Sequence, residues 1–202
     1  MENLMTRTEL LQQFQLHPPA DYHRHALARV AHIKPQELKK AAVLIGFVER
    51  DNGLHVIFTK RAAHLKHHPG QISFPGGKFE SSDKTLDATA LRETQEEAGI
   101  SHQSVNIFGQ MPELSTISRF TVTPFLAFVS ADYQPQIDPS EVEQLFEVPA
   151  DIVLDPSQLH SHNFQIKGRR HTVFGLSYQE HFIWGMTAQV IQALQKQFHS
   201  FR

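Results

Sequence analysis

The chain has 202 residues, which suits one domain of ordinary size with a terminal elaboration. A hydrophobic content of 40% supports a packed core and excludes disorder for most of the chain, and 19 basic against 21 acidic residues argue against a general binder of nucleic acid or membrane surfaces. Cysteine is absent, which excludes disulfides, thiolate zinc sites and a cysteine nucleophile and fits a cytoplasmic protein.

Residues 1–17 lack the basic start and continuous apolar run of a secretory signal, and no apolar run nears the roughly 20 residues that span a bilayer. A soluble, intracellular protein is expected. Thr6 and Glu9 have the spacing of a capping box that opens a short amphipathic helix. Residues 1–36 are expected to form an N-terminal helical extension, followed by the main domain over 37–202. The first strong strand signal is 41–48; Asp51-Asn52-Gly53 is a turn, and 54–59 returns, predicting a hairpin. A basic, His-rich loop over 60–73 leads into Phe74-Pro75-Gly76-Gly77. A helix is expected to begin near Asp83 or Lys84 and to stop at Gly99, with Ala88, Leu91 and Ala98 packing on a sheet.

Further on, 105–111 and 120–129 read as strands separated by the Ser/Thr-rich 114–118, while 141–148 fits a strand or a short helix equally. Residues 162–166 and 171–176 suggest a hairpin around Gly168-Arg169. Residues 184–198 read as a closing helix with Met186, Val190, Ile191 and Leu194 on its apolar face. Strands mixed with a few helices predict an α+β domain layered α/β/α, a mixed sheet between helices. There is no internal repeat, and no oligomeric state follows from the sequence.

The chemistry concentrates in one helix. Glu93, Glu96 and Glu97 stand at i, i+3 and i+4 and share a face. Their mutual repulsion calls for a cation, and a hard divalent ion with oxygen ligands suits three carboxylates. Upstream, Pro75 stiffens the approach, while Gly76 and Gly77 allow backbone to come close to a ligand. Arg92 cannot coordinate metal and would instead orient Glu96, its i+4 neighbour, or another carboxylate. The plainer alternative is a solvated acidic face; the glycine turn and the terminating Gly99 favour the metal reading. His64, His67 and His68 are spaced to bind zinc if helical, but no further ligand stands near them in sequence.

At this point the chain resembles the Nudix hydrolase family. Gly77 is followed by five residues and Asp83, then by eight residues and Arg92-Glu93-Thr94-Gln95-Glu96-Glu97-Ala98-Gly99-Ile100, close to the family's box. The departures are Asp83 for a glutamate, one extra residue before Arg92, and Thr94 at an aliphatic position. The resemblance implies the Nudix fold and metal-dependent hydrolysis of a nucleoside diphosphate linked to another group. By motif position, Glu93 and Glu97 become the principal ligands of Mg²⁺ or Mn²⁺ and Glu96 a further one, with catalytic roles for Glu93 and Glu96. A post-box carboxylate is also implied as base or ligand; Glu141 is nominated, with Glu143 and Glu113 as rivals.

The segment from Thr59 through Arg61, Ala62, Lys66 and Gly70 to Phe74-Pro75-Gly76-Gly77 resembles the coenzyme A pyrophosphatase branch, with Lys66 in place of a second arginine. That branch implies cleavage of coenzyme A or its thioesters to 3′,5′-ADP and (acyl-)4′-phosphopantetheine. Arg61 and Lys66, with Gly76 and Gly77, would bind the phosphates. Neither nucleic acid nor membrane is an expected partner; the partner is a small nucleotide. Two other functions share parts of this pattern. One is a Nudix hydrolase of ADP-ribose, dinucleotides or damaged nucleoside triphosphates. The other is a non-catalytic nucleotide-binding module, against which the full Glu93, Glu96 and Glu97 set speaks.

Overall fold

The computed structural model describes residues 4–166 and 169–199. Helix α1 (Arg7–Leu16) opens with the expected capping box: the Thr6 hydroxyl accepts from the Glu9 N–H, and the Glu9 carboxylate accepts from the Thr6 N–H. A second short helix, α2 (Arg24–Val30), follows. Strands β1 (Lys39–Arg50) and β2 (Gly53–Arg61) form the predicted hairpin, closing at Arg50 and Gly53. Beyond the basic loop come the short β3 (Ile72–Ser73) and β4 (Gly76–Lys78), then helix α3 (Leu86–Ala98). Strands β5 (Val105–Gln110), β6 (Leu114–Ser115), β7 (Phe120–Val129) and β8 (Val142–Pro149) complete the main sheet. Helix α4 (Ala150–Leu154), strands β9 (Leu159–Ile166), β10 (Arg169–Tyr178) and β11 (His181–Trp184), and helix α5 (Met186–His199) finish the chain.

Among the described residues, eight strands form one sheet with the backbone order β3-β2-β1-β7-β5. β4 also pairs with β1, β6 with β7 and β8 with β2. Only β1 and β7 run parallel, in register from Lys39 opposite Phe120 to Val48 opposite Val129, so the sheet is mixed. β1 is buried continuously from Ala41 to Val48 because both faces are covered. Ala42 and Leu44 meet Ala90 of α3. Ala41, Val43, Ile45 and Phe47 belong to the main core with Leu10 of α1 and Val190, Ile191 and Leu194 of α5. This is the expected α/β/α layering. Strands β11, β10 and β9 form a second, antiparallel sheet.

Several local expectations are corrected. The helix after the glycine turn starts at Leu86, with Thr85 as N-cap, because Asp83 is drawn out of it by Arg92. Its packed residues are Thr89, Ala90, Thr94, Glu97 and Ala98; Ala88 and Leu91 are only half-buried. The ambiguous 141–148 segment is strand, paired antiparallel with β2 over 55–61. Trp184 closes β11 opposite Gly175 instead of opening the last helix. The predicted β9–β10 hairpin forms; Gly168, expected at its turn from the sequence, lies outside the described residues. Among the described residues no helix is long and apolar enough to cross a membrane.

Candidate active site

Helix α3 ends where Gly99 adopts a left-handed conformation (φ 69°) and its N–H reaches the Gln95 carbonyl. Its last two turns carry the acidic residues. The side chains of Glu93 and Glu97 are 14% and 5% exposed, and that of Glu96 is 59% exposed. Glu97 therefore belongs to the packed face, where packing alone would favour an apolar residue. Thr94, at a box position normally aliphatic by the resemblance above, is also buried, and its hydroxyl donates to the Ala90 carbonyl at 2.7 Å.

Arg92 organises the cluster. Its Nε and Nη2 donate to the two Asp83 oxygens at 2.9 and 3.0 Å. Nη1 donates to Glu93 Oε1 at 3.0 Å and Glu96 Oε2 at 2.8 Å, and Nη2 also donates to the Lys78 carbonyl at 2.9 Å. All five guanidinium N–H groups are thus used. Asp83 also accepts from the Glu80 N–H and the Thr89 hydroxyl. The aspartate in the box is fully engaged as Arg92's anchor, and the extra residue before Arg92 leaves the helix regular from Leu86 onward.

The glycine turn acts on the same carboxylates. The Gly76 N–H donates to Glu97 Oε2 at 3.1 Å. A Cβ on Gly76 would overlap the Ala42 carbonyl oxygen, and one on Gly77 would overlap the Glu93 carboxyl group. Gly77 is therefore required by the close approach of Glu93.

Arg61, at the end of β2, reaches Glu97 Oε1 at 3.9 Å. Burial pushes Glu97 up to about 8; the Gly76 N–H and Arg61 oppose the rise, and the charges of Glu93 and Glu141 reinforce it. Burial also raises Glu93, against Arg92, with Glu96 and Glu141 adding to the rise. Glu141 itself is exposed, in the turn before β8, where its carbonyl accepts from the Ala62 N–H.

The remaining candidates lie apart from this cluster. Glu143 pairs with Lys60 at 2.6 Å, and Glu113 accepts from Thr121 and Thr123. Lys66 is exposed on the basic loop without a bonded partner. His64 meets the Ser140 carbonyl at 3.2 Å. Among the described residues no three His, Asp or Glu side chains form a preassembled metal cage, neither the loop histidines nor the α3 glutamates. Sequence reasoning missed the Asp83 anchor, the Gly76 contact to Glu97 and the Gly77 contact to Glu93. The first needed the fold of the 80–85 turn and the others the pairing of β4 with β1, for which no local signal exists.

The donor set suits a hard divalent cation. Each buried or flanking carboxylate gives one oxygen to the protein and keeps another, Glu93 Oε2, Glu96 Oε1 and Glu97 Oε1, without a protein hydrogen bond. A buried and a half-buried carboxylate, both with raised pKa values, are the arrangement a cation relieves.

Comparison with known proteins shows the family. The NUDIX domain family model matches residues 38–167. A relative from Enterobacter sp. (strain 638), "Uncharacterized Nudix hydrolase NudL", is 38% identical over 194 residues, covering 96% of this chain and 95% of its own. A relative of the same name from Photorhabdus laumondii is 35% identical over 189 residues, covering 92% of each. Among solved structures, the chain is similar to the NUDIX domain of Shewanella oneidensis NrtR complexed with ADP ribose, at 20% identity and TM-score 0.45, covering 64% of this chain and 86% of that one. It is also similar to a C. elegans Ap4A hydrolase, at 18% identity and TM-score 0.47, covering 56% and 82%. The family match over most of the chain, falling on a helix that holds its glutamates between an arginine anchor and a glycine turn, places this protein in the Nudix hydrolase family.

Proposed function

We propose that this Nudix hydrolase cleaves the pyrophosphate bond of coenzyme A or its thioesters, releasing 3′,5′-ADP and (acyl-)4′-phosphopantetheine. The observation that carries the reading is Arg61: the loop that bears the coenzyme A-type pattern begins at a guanidinium 3.9 Å from the Glu97 carboxylate. Basic groups for a polyanionic ligand thus adjoin the carboxylate cluster. Lys66, exposed on the same loop, is the cation this reading assigns to a further phosphate such as the 3′-phosphate.

In this reading Glu93, Glu96 and Glu97 hold Mg²⁺ or Mn²⁺. What the ion supplies when bound is neutralisation of phosphate charge and a more acidic water. The chain's own residues do the rest. Arg92 fixes Glu93 and Glu96 through one oxygen each, leaving the other oxygen of each without a protein hydrogen bond. The Gly76 N–H does the same for Glu97. Arg61 binds substrate phosphate and balances the buried Glu97. Glu141, exposed in the turn before β8, is the group this reading assigns to accept a proton from the attacking water.

The test is product release from coenzyme A, 3′-dephospho-coenzyme A and ADP-ribose, each with Mg²⁺ or Mn²⁺, alongside Glu97→Gln. Preference for coenzyme A, lost in the variant, is the expected result. Preference for ADP-ribose would keep the hydrolase and remove coenzyme A as its substrate. Binding without turnover under either metal would leave a nucleotide-binding module.

A further inference from the structure

Strand β11 is an edge of the second sheet, and its burial alternates: His181 and Ile183 face the core, while Phe182 and Trp184 face outward. Phe182 is 53% and Trp184 45% exposed. Single exposed aromatics are ordinary. These two, however, share one face, and the neighbouring strand makes room for them. Gly175 pairs with Trp184 across the ladder, and a Cβ on Gly175 would lie 2.5 Å from the Phe182 ring. Without that Cβ, the Phe182 ring lies across β10 at Gly175, the residue paired with Trp184.

The strand that bears the aromatic pair packs against β3, where the basic loop of the candidate active site ends. Immediately after Trp184, Gly185 turns the chain with φ 73°, and a Cβ there would lie 3.2 Å from Gln71 Nε2. Two residues further, the Thr187 hydroxyl donates to the Ile72 carbonyl at 3.0 Å. Gln71 ends the basic loop: its carbonyl accepts from the Arg61 N–H at 3.0 Å, and Arg61 leads to Glu97. Between Arg61 and Gln71 the loop exposes Lys66, His67 and His68. A planar aromatic surface beside a cationic loop complements a planar base that carries phosphate; a flexible aliphatic arm would call for a groove instead.

We infer that Phe182 and Trp184 form the platform on which the purine base of the nucleotide half of the substrate stacks. Its ribose phosphates then lie along the 62–70 loop, and the scissile pyrophosphate lies toward Arg61 and the α3 carboxylates. The inference rests on the nucleotide-substrate reading above but not on coenzyme A itself, because ADP-ribose carries the same base.

Trp184 is the chain's single tryptophan, so its fluorescence reports on this surface in the intact protein without turnover. Titration with 3′,5′-ADP should quench the emission saturably, and 4′-phosphopantetheine should leave it unchanged. Phe182→Ala should raise the Kd for 3′,5′-ADP about tenfold and raise the KM of the hydrolysed substrate similarly, with a smaller effect on kcat. Quenching by 4′-phosphopantetheine alone would overturn the assignment. So would the absence of quenching at 3′,5′-ADP concentrations that inhibit hydrolysis, or emission that changes with protein concentration alone, which marks self-association. Quenching by 3′,5′-ADP in a protein that does not cleave coenzyme A removes only the coenzyme A reading. Cleavage without quenching removes only the stacking platform.

Discussion

Replacing Asp83 by Asn isolates the anchor of the acidic helix. The Asp83 side chain is 4% exposed and its partner Arg92 20% exposed. Two guanidinium hydrogen bonds, then the Glu80 N–H and the Thr89 hydroxyl, hold the carboxyl well below the usual carboxylate range against the opposing effect of burial. Asparagine keeps the shape, removes the charge and turns an N–H₂ group toward donors. A hydrogen bond to a charged group contributes about 1.5–3 kcal/mol, and two are weakened here while one carbonyl contact can persist. The expected loss is about 2–3 kcal/mol, a fall in Tm of about 4–12 °C for a chain of this size. Urea unfolding of both proteins at pH 7 measures it. The pH dependence has a fixed sign. A carboxyl depressed in the folded state contributes fully above its unfolded pKa, near about 4, and the contribution fades as pH falls from there toward the folded value. The gap between wild type and variant must therefore narrow in acid. Because Arg92 also positions Glu93 and Glu96, hydrolysis should fall about 10–100-fold. A gap below about 0.5 kcal/mol at pH 7, or one that does not shrink in acid, refutes the anchor and makes this an ordinary surface pair.

The two glycines of the turn should separate stability from activity. Gly77→Ala displaces only the Glu93 carboxyl end, so hydrolysis is lost with the fold kept, whereas Gly76→Ala meets the Ala42 backbone oxygen and should cost about 2 kcal/mol or more by thermal denaturation. In EDTA, burial of Glu97 should make wild-type stability fall as pH rises from about 4.5 toward 8, by at most about 1.4 kcal/mol per unit, because the unfolded chain ionises first. Glu97→Gln, which mimics the protonated side chain, should flatten that profile in urea titrations while abolishing hydrolysis. The buried Tyr133 donates to Glu147 at 2.6 Å, and Arg50 binds the same carboxylate. Tyr133→Phe should cost about 1 kcal/mol by urea unfolding and leave kcat unchanged.

The legible parts of this molecule are those with local rules. The Thr6 and Glu9 capping box, the β1–β2 hairpin, the stop at Gly99 and the shared face of Glu93, Glu96 and Glu97 follow from spacings of three or four residues and from turn chemistry. What resisted reading depends on distant partners. The 141–148 segment is strand because β2 offers it an edge some eighty residues earlier in the chain. Trp184 is drawn into β11 by its pairing with Gly175. Gly76 and Gly77 read as a permissive turn, but the need for glycine is steric and comes from Ala42 and Glu93, which only the pairing of β4 with β1 brings close.

The acidic helix shows why a site can be legible in outline and still be wrong in detail. Spacing alone separates a polar face from an apolar one, with Ala88, Leu91 and Ala98 opposite the glutamates. In the folded chain the two faces overlap, because Glu97 and Thr94 occupy positions that packing would assign to apolar side chains. Burying a carboxylate there works against the core, and the raised pKa of Glu97 is the sign of that cost. A helix selected only for stability would carry an apolar residue at position 97. The chain instead surrounds the group with an N–H from Gly76, a guanidinium from Arg61 and a neighbouring carboxylate held by Arg92 and Asp83. Such a conflict between local packing and retained charge is expected where function has the stronger claim. In the proposed reading, it is this dry, charged setting of Glu97 that would make a cation more than a surface counterion.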